Sequence, residues 1–478
     1  MSTAIKMKAK RDFTSGPLFG KMILFTIPII LTGLLQLCYN MADNIVVGKF
    51  SGDEFALAAV GATGSLTGLV TNVFMGIGAG AGIVVAHSYG AKDYERVSRA
   101  VHTSITFSSI AGIAFGVILF FVAEPALTLM KINPVFIDKS ILYVRILAFG
   151  IPASSIYNYS AAILRNVGDS RTPLIILSSS GLLNVALNLF FVIVCHMTVG
   201  GVALATVASQ YASAVAVILV LILRKNTCYA FSFKKMRIDL PILKRSLRLG
   251  IPQGIQSSMF SISNVLLVSS MSGFNEFVFT GYTITNNIDA IVYHVCAGYS
   301  TTCLTFTAQN YGVKNRKRIH KVLLYSLIQV ILVGFIVGQF VLIFNQPLAM
   351  LFMPDDATNV NVILEVVKDL STLLLTTYFL FGVLSVLSGC LRGIGYSILQ
   401  MVMYVIGLCG SRIIWIFFVF PFIDSPIWLM VCYPVSWLTT ILMLGISRLI
   451  AEKKLKVKLS NPPAPQVKLN VNTETRKK

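Results

Sequence analysis

The residues best placed to do chemistry begin with Asp43, a carboxylate in Tyr39-Asn-Met-Ala-Asp43-Asn-Ile-Val-Val-Gly48, at the end of an apolar run that starts near Leu18. Going back from Asp43 by helical turns gives Tyr39 and Asn40, then Gln36. That spacing places side chains on one face of a helix. An acid inside a membrane span costs at least about 2.5–3.5 kcal/mol, so it faces a bundle interior or a water-filled hollow. There it can exchange a proton or a cation, or serve as a hydrogen-bonded structural group. Asn184 and Asn188, in Leu183-Asn-Val-Ala-Leu-Asn188, form a second polar set one turn apart. Amide donors beside an acid stabilise its charged form while burial favours the neutral one, which suits a proton carrier. Amide carbonyls with a carboxylate also form a hard oxygen set for Na⁺. The alternative for the two asparagines is interhelical hydrogen bonding, worth about 0.6 kcal/mol.

The second half carries its own intramembrane groups: Asp289, Arg412, Gln256 and Asn264. Opposite charges at similar depth invite pairing, so Asp289 and Arg412 are expected as a buried ion pair or close neighbours. Tyr39, Tyr157, Phe260 and Tyr293 are candidate cavity walls. His87, His196 and His294 lie in or beside spans and read as ordinary hydrogen-bonding residues more than proton carriers. Gly76-Ile-Gly-Ala-Gly80-Ala-Gly82 lies within a span with no strand before it, so it reads as a close helix contact rather than a phosphate loop. The eight cysteines show no paired spacing and read as small apolar residues. No metal or organic cofactor is expected beyond a monovalent cation at Asp43.

The elements that must hold these residues follow from composition. The chain has 478 residues, 55% hydrophobic and 12% charged, with mean hydropathy +0.78. An average soluble domain carries about 25% charged residues. The pattern predicts an all-α integral membrane protein with twelve spans of hydrocarbon-crossing length. They fall at 18–47, 55–86, 100–123, 141–164, 173–195, 199–223, 246–271, 278–307, 321–344, 364–390, 398–420 and 427–450. No cleavage site follows the basic N-terminus, so no removable signal peptide is expected. The net charge of +20 sits in short clusters between spans rather than on one face, which argues against nucleic-acid binding. Thirty-three of the 39 Lys and Arg fall on alternate connections that include both termini, which predicts both termini on the cytoplasmic side. Asp53, Glu54, Glu124, Glu276, Asp355, Asp356 and Asp424 mark turns on the opposite side. Asp43 and Asn188 then lie at comparable depth on two outward-running spans.

The chain also repeats itself. Ile27-Pro28 matches Ile251-Pro252, Ala86-His-Ser-Tyr-Gly90-Ala-Lys92 matches Ala308-Gln-Asn-Tyr-Gly312-Val-Lys314, and Leu164-Arg165-Asn-Val-Gly168 matches Leu391-Arg392-Gly-Ile-Gly395. Leu189-Phe-Phe-Val192 likewise matches Ile416-Phe-Phe-Val419. Offsets of 222 to 227 residues keep one alignment. Six spans per half make the repeats parallel, a transporter architecture with its substrate site between halves. The divisions are a cytoplasmic segment at 1–17, an N-lobe at 18–223, a basic linker at 224–245, a C-lobe at 246–450, and a basic tail at 451–478 expected to be disordered beyond its first turns.

In these motifs, together with Ala42-Asp43-Asn-Ile-Val-Val-Gly48 and Gln309-Asn-Tyr-Gly312, the chain resembles the multidrug and toxic compound extrusion (MATE) transporters of the multidrug/oligosaccharidyl-lipid/polysaccharide exporter superfamily. The resemblance spans residues 15–450. It implies a V-shaped pair of six-helix lobes in the plasma membrane, exporting amphipathic, cationic small molecules in exchange for Na⁺ or H⁺. It maps the family's first-span acid onto Asp43, with Asn184 and Asn188 where some members have an Asn and an Asp. Span 7 offers Gln256, Ser261 and Asn264 where some members have an acid, and span 10 has no acid in its middle. The alternative is a flippase for lipid-linked precursors or an exporter of anionic or zwitterionic metabolites. Several cavity arginines would favour it, and Arg412 is the one plausible lining cation. A membrane enzyme would need paired acids or His-x-x-x-His at a membrane face, and neither is present. The expected partners are a small-molecule substrate and membrane lipid, with no obligate protein partner.

Overall fold

The computed structural model describes residues 12–50, 52–53, 55–353, 359–423 and 425–460. Glu54, Asp355, Asp356 and Asp424, the residues before 12 and the tail beyond 460 lie outside the described residues. Every described element is helical. The first six rods are α1 (Phe19–Phe50), α2 (Ala56–Gly90), α3 (Tyr94–Leu129), α4 (Ile137–Asn166), α5 (Arg171–Val194) and α6 (Val199–Leu223). The second six are α7 (Leu240–Met271), α8 (Glu276–Gly312), α9 (Arg316–Ile343), α10 (Val360–Gly393), α11 (Ser397–Phe422) and α12 (Pro426–Lys456). The twelve-span, two-lobe architecture is as expected. Most helices run one or two turns beyond the apolar limits read from sequence, because polar residues continue a helix outside lipid at no hydrogen-bonding cost. Helix continues to Ser460, ten residues into the segment expected to lose order after its first turns.

Ten of the rods are apolar enough to cross a membrane on length and composition alone. The other two, α7 and α8, carry Gln253, Gln256, Asn264, Asn286, Asn287 and Asp289. Such polarity is tolerated only where a helix faces protein or a water-filled hollow.

The duplicated motifs are the turns that reverse the chain. Lys92 (φ 59°) and Lys314 (φ 57°) occupy repeat-equivalent left-handed positions, as do Gly168 (φ 95°) and Gly395 (φ 89°). The next residues, Asp93 and Asn315, accept hydrogen bonds from Arg96 N and Arg318 N and so cap α3 and α9. At Gly168 and Gly395 a side chain would be strained, which is why both copies keep glycine there.

The lobes meet along α2, α7 and α8, with α1 also against α8. Gly76 and Gly80 of the glycine run press on α7: a Cβ on either would lie 2.4 Å from Gly254 N or Gly250 N. Gly82 faces α4, where a Cβ would lie 2.3 Å from Asn166 Nδ2. The run is a close helix contact, as expected. Gly61, Gly64 and Gly68, nearer the start of α2, face open space. The close approaches between the lobes at Gly76, Gly80, Gly90 and Gly312 thus gather toward the end bearing the Lys92 and Lys314 turns.

The basic linker packs on the N-lobe, with Cys228, Tyr229 and Phe231 buried in its core. Arg224 Nη1 donates to Asp169 Oδ2 at 2.6 Å, and Thr172 donates to the same carboxylate through N and Oγ1. Burial alone would raise the Asp169 carboxyl, but these hydrogen bonds prevail and hold it below its ordinary value. A carboxyl held low stabilises the fold above its unfolded pKa and loses that contribution as pH falls. Asp169→Asn is expected to cost about 1–2 kcal/mol at pH 7, read as a lower melting temperature. The gap to wild type should close below about pH 4.

Candidate functional site

Asp43 is positioned by a close contact between α1 and α5. Gly181 leaves room for the Tyr39 ring: a Cβ there would lie 2.0 Å from Tyr39 Cε2. The Tyr39 hydroxyl donates to Ser178 O at 3.1 Å. One turn beyond Tyr39 on α1 is Asp43, and two turns beyond Gly181 on α5 is Asn188. Asn188 Nδ2 donates to Asp43 Oδ1 at 2.5 Å and lies 3.4 Å from Asn184 Oδ1. Asn188 is fully buried, and its own Oδ1 has no hydrogen-bond partner among the described residues. The structure thus brings together a carboxylate and two amides, with one amide oxygen left without a donor. Tyr143 on α4, which carried no signal in the sequence, lies close enough to interact electrostatically with Asp43.

Asp43 and Asn184 face a cavity of about 520 Å³ inside the N-lobe. Gln36, Tyr39, Asn40, Asp43, Asn184 and Tyr157 are on its wall. Tyr157 is fixed by its hydroxyl, which donates to Pro173 O at 3.1 Å. Exchange of Asn188 for Leu removes the donor to Asp43 and a buried oxygen. Gradient-driven transport is expected to fall about tenfold in Asn188→Leu, since a charge-assisted hydrogen bond is worth about 1.5–3 kcal/mol.

Of the two arrangements expected for the C-lobe charges, the direct ion pair is not formed among the described residues, and Asp289 and Arg412 are neighbours, with Arg412 acting on Asp289 electrostatically. The buried guanidinium donates to Asn264 Oδ1 at 2.7 Å and lies 4.4 Å from the Tyr433 ring centroid and 5.4 Å from that of Phe260. Phe260 is thus a platform for Arg412. The turns flanking Ser411–Ile414 are widened into π-helix, at Val405–Gly410 and Trp415–Val419. Each such turn holds an extra residue and rotates the residues beyond it by about 100° relative to a regular helix.

A second cavity, about 300 Å³, lies between the lobes. Gln256 and Tyr293 are on its wall. Gln256 accepts from Gln400 Nε2 at 2.9 Å, and Tyr293 packs on Phe381 with ring centroids 5.4 Å apart. Two arginines also line it, Arg165 and Arg392. The sequence alone offers Arg412 as the one plausible lining cation, and neither Arg165 nor Arg392 as a cavity residue. That expectation is overturned.

Below this cavity the repeat motifs close on each other. A Cβ on Gly90 would lie 2.0 Å from Gln309 O, and one on Gly312 would lie 2.2 Å from His87 O. His87 Nε2 meets Gly393 O at 2.7 Å, and Gln309 Nε2 donates to Asn166 O at 2.8 Å. His87 and Gln309 are repeat equivalents, as are Asn166 and Gly393. The seal is therefore built twice, once by each half, about one axis. His87 has a hydrogen-bonding role here, with Arg245 Nη2 3.2 Å from its Nδ1.

Comparison with known proteins agrees with this architecture. The chain is 27% identical over 401 residues to the probable multidrug resistance protein YoeA of Bacillus subtilis, covering 82% of this chain and 85% of that protein. It is 22% identical over 358 residues to a FAD transporter of Shewanella oneidensis, covering 73% and 77%. A solved outward-facing MATE transporter of the MOP superfamily superposes with TM-score 0.83 at 20% identity, over 96% of this chain and 99% of that one. The family model MatE matches residues 28–190 and 252–418, one copy in each lobe. The chain belongs to the MatE family and is a MATE transporter.

Proposed function

We propose that the protein is a secondary antiporter that exports small amphipathic organic molecules by alternating access, coupled to inward H⁺ or Na⁺ at Asp43. The carrying observation is one carboxylate, hydrogen-bonded by Asn188, on the wall of a hollow inside the N-lobe. A proton would neutralise Asp43. Na⁺ would be held by the Asp43 carboxylate with the amide oxygens of Asn184 and Asn188, the latter lacking any other partner. Cargo and cation exchange through a cavity system shared by both lobes, since Asn72, Met75, Asn158 and Arg165 line both hollows. The multidrug resistance protein and the FAD transporter among its relatives support a small-molecule cargo. Coupling requires that the cation bind one state more tightly than the other, and each tenfold difference supplies about 1.4 kcal/mol.

In this reading the end bearing the basic turns is cytoplasmic, in line with the charge distribution, and the membrane is the plasma membrane. The close contacts between the lobes gather at that end, which supports an outward-open conformer. No protein partner is required. The test is dye counterflow in proteoliposomes under imposed H⁺ or Na⁺ gradients. Accumulation driven by one gradient supports the proposal. Movement that ignores both gradients sinks it.

A further inference from the structure

The cavity between the lobes holds two positive charges and no carboxylate among its described wall residues. Arg165 closes α4 and Arg392 closes α10, at repeat-equivalent positions, so each lobe sends one guanidinium to the same hollow. Arg392 Nη1 donates to Gln253 Oε1 and Nη2 donates to Ser300 Oγ at 3.2 Å, while its buried Nε has no partner. The Arg165 guanidinium makes no hydrogen bond or ion pair among the described residues. Of the other positive groups near the seal, Arg245 lies 3.2 Å from His87 Nδ1 and Arg224 is neutralised by Asp169.

Removing a charge from water without a counter-charge is costly. Two such groups converging from different lobes make a preformed anion receptor, because guanidinium forks match carboxylate and phosphate oxygens. Tyr293 and Phe381 supply an aromatic wall beside them. The volume, about 300 Å³, is at the lower end for small-molecule sites, and the hollow continues into the larger N-lobe cavity through Arg165.

We propose that Arg165 and Arg392 form the recognition site for the cargo, and that the cargo is an organic anion with a carboxylate or phosphate group attached to an aromatic or apolar body. This rests on the antiport reading above and replaces the cationic cargo that the family resemblance implies. An anion on the axis touches both lobes and so ties substrate binding to their relative position. It also leaves Asp43, in the N-lobe cavity, free to carry the cation.

The test uses the full chain in phosphatidylcholine nanodiscs and two dyes on a shared ring system, anionic 6-carboxyfluorescein and cationic rhodamine 123, read by fluorescence polarisation. Carboxyfluorescein is expected to bind and to be displaced by inorganic pyrophosphate. Arg165→Gln with Arg392→Gln should weaken it by about tenfold or more, the worth of charge-assisted hydrogen bonds. The double Lys variant, which keeps the charge without the fork, should bind between wild type and the Gln pair, and rhodamine 123 should not be weakened by either. Displacement of the dye when phosphatidylglycerol replaces phosphatidylcholine would support the same anion site and assign its anion to a lipid headgroup. Tighter binding of rhodamine 123 than carboxyfluorescein would overturn the proposal, as would carboxyfluorescein binding that neither pyrophosphate nor the Gln pair disturbs. The pyrophosphate arm needs no variant and decides even if the Gln pair fails to fold. Arginine-dependent binding without gradient-driven flux would defeat the antiport reading and leave this site standing.

Discussion

Asp43→Asn is expected to abolish gradient-driven accumulation while cargo exchange down its own gradient survives. The substitution keeps the size of the side chain and an oxygen that Asn188 Nδ2 can still reach. What it removes is the ability to gain and lose a cation. A site without that ability binds nothing differently in the two conformers, and no coupling free energy results. Accumulation in proteoliposomes should fall at least about tenfold, equivalent to about 1.4 kcal/mol or more of lost coupling. Asp43→Glu should recover part of it, because the charge returns one methylene out of place. Asn184→Asp, which introduces a second carboxylate next to Asn188, provides the converse case. It adds a second titratable group to the same cavity and should alter the number of cations exchanged per cargo.

Gly90→Ala is expected to move the protein away from the conformer described here. The added Cβ would sit 2.0 Å from Gln309 O and 2.7 Å from Gln309 C, both main-chain atoms that no rotamer can withdraw. Overpacking of this kind costs about 1–3 kcal/mol. The cost falls only on the state in which α2 and α8 cross. A two-state balance between the conformers should shift by about five- to 150-fold. Spin labels at Glu95 and Lys317, exposed and repeat-equivalent on the first turns of α3 and α9, report the separation of the two halves at this end. The background should lack the exposed cysteines Cys38 and Cys195. The longer separation should become the major population in Gly90→Ala. An unchanged distance distribution would show that the seal does not oppose opening.

Much of this arrangement is legible in the chain itself, and the reasons are local. The turns at Lys92 and Lys314, and at Gly168 and Gly395, need particular residues for their backbone conformation, so duplication leaves a visible trace. The same motifs supply the seal, since His87, Gly90, Asn166, Gln309 and Gly312 sit within or beside them. Asp43 with Asn188 is legible because one-turn spacing on each helix gives both groups a shared depth. Arg165 and Arg392 are not legible from charge counting. Both lie in the last turn of a helix, where chain position suggests a solvated end. The Cα–Cβ bond of a helical residue leans toward the helix N-terminus, so a long side chain there reaches back into the span. That Asp289 and Arg412 are neighbours without a direct ion pair has a related cause. Depth counted at 3.6 residues per turn cannot anticipate the π-turns around Ser411–Ile414, and those turns carry Arg412 to Asn264 and Tyr433.

The central claim is that Asp43 exchanges a cation as cargo is taken up. It is tested most directly by mixing the purified chain with saturating cargo in weakly buffered solution, with a pH-indicator dye and a Na⁺-selective electrode. Wild type should release up to one H⁺ or one Na⁺ per chain, and Asp43→Asn should release neither. Equal release from both proteins would contradict the account.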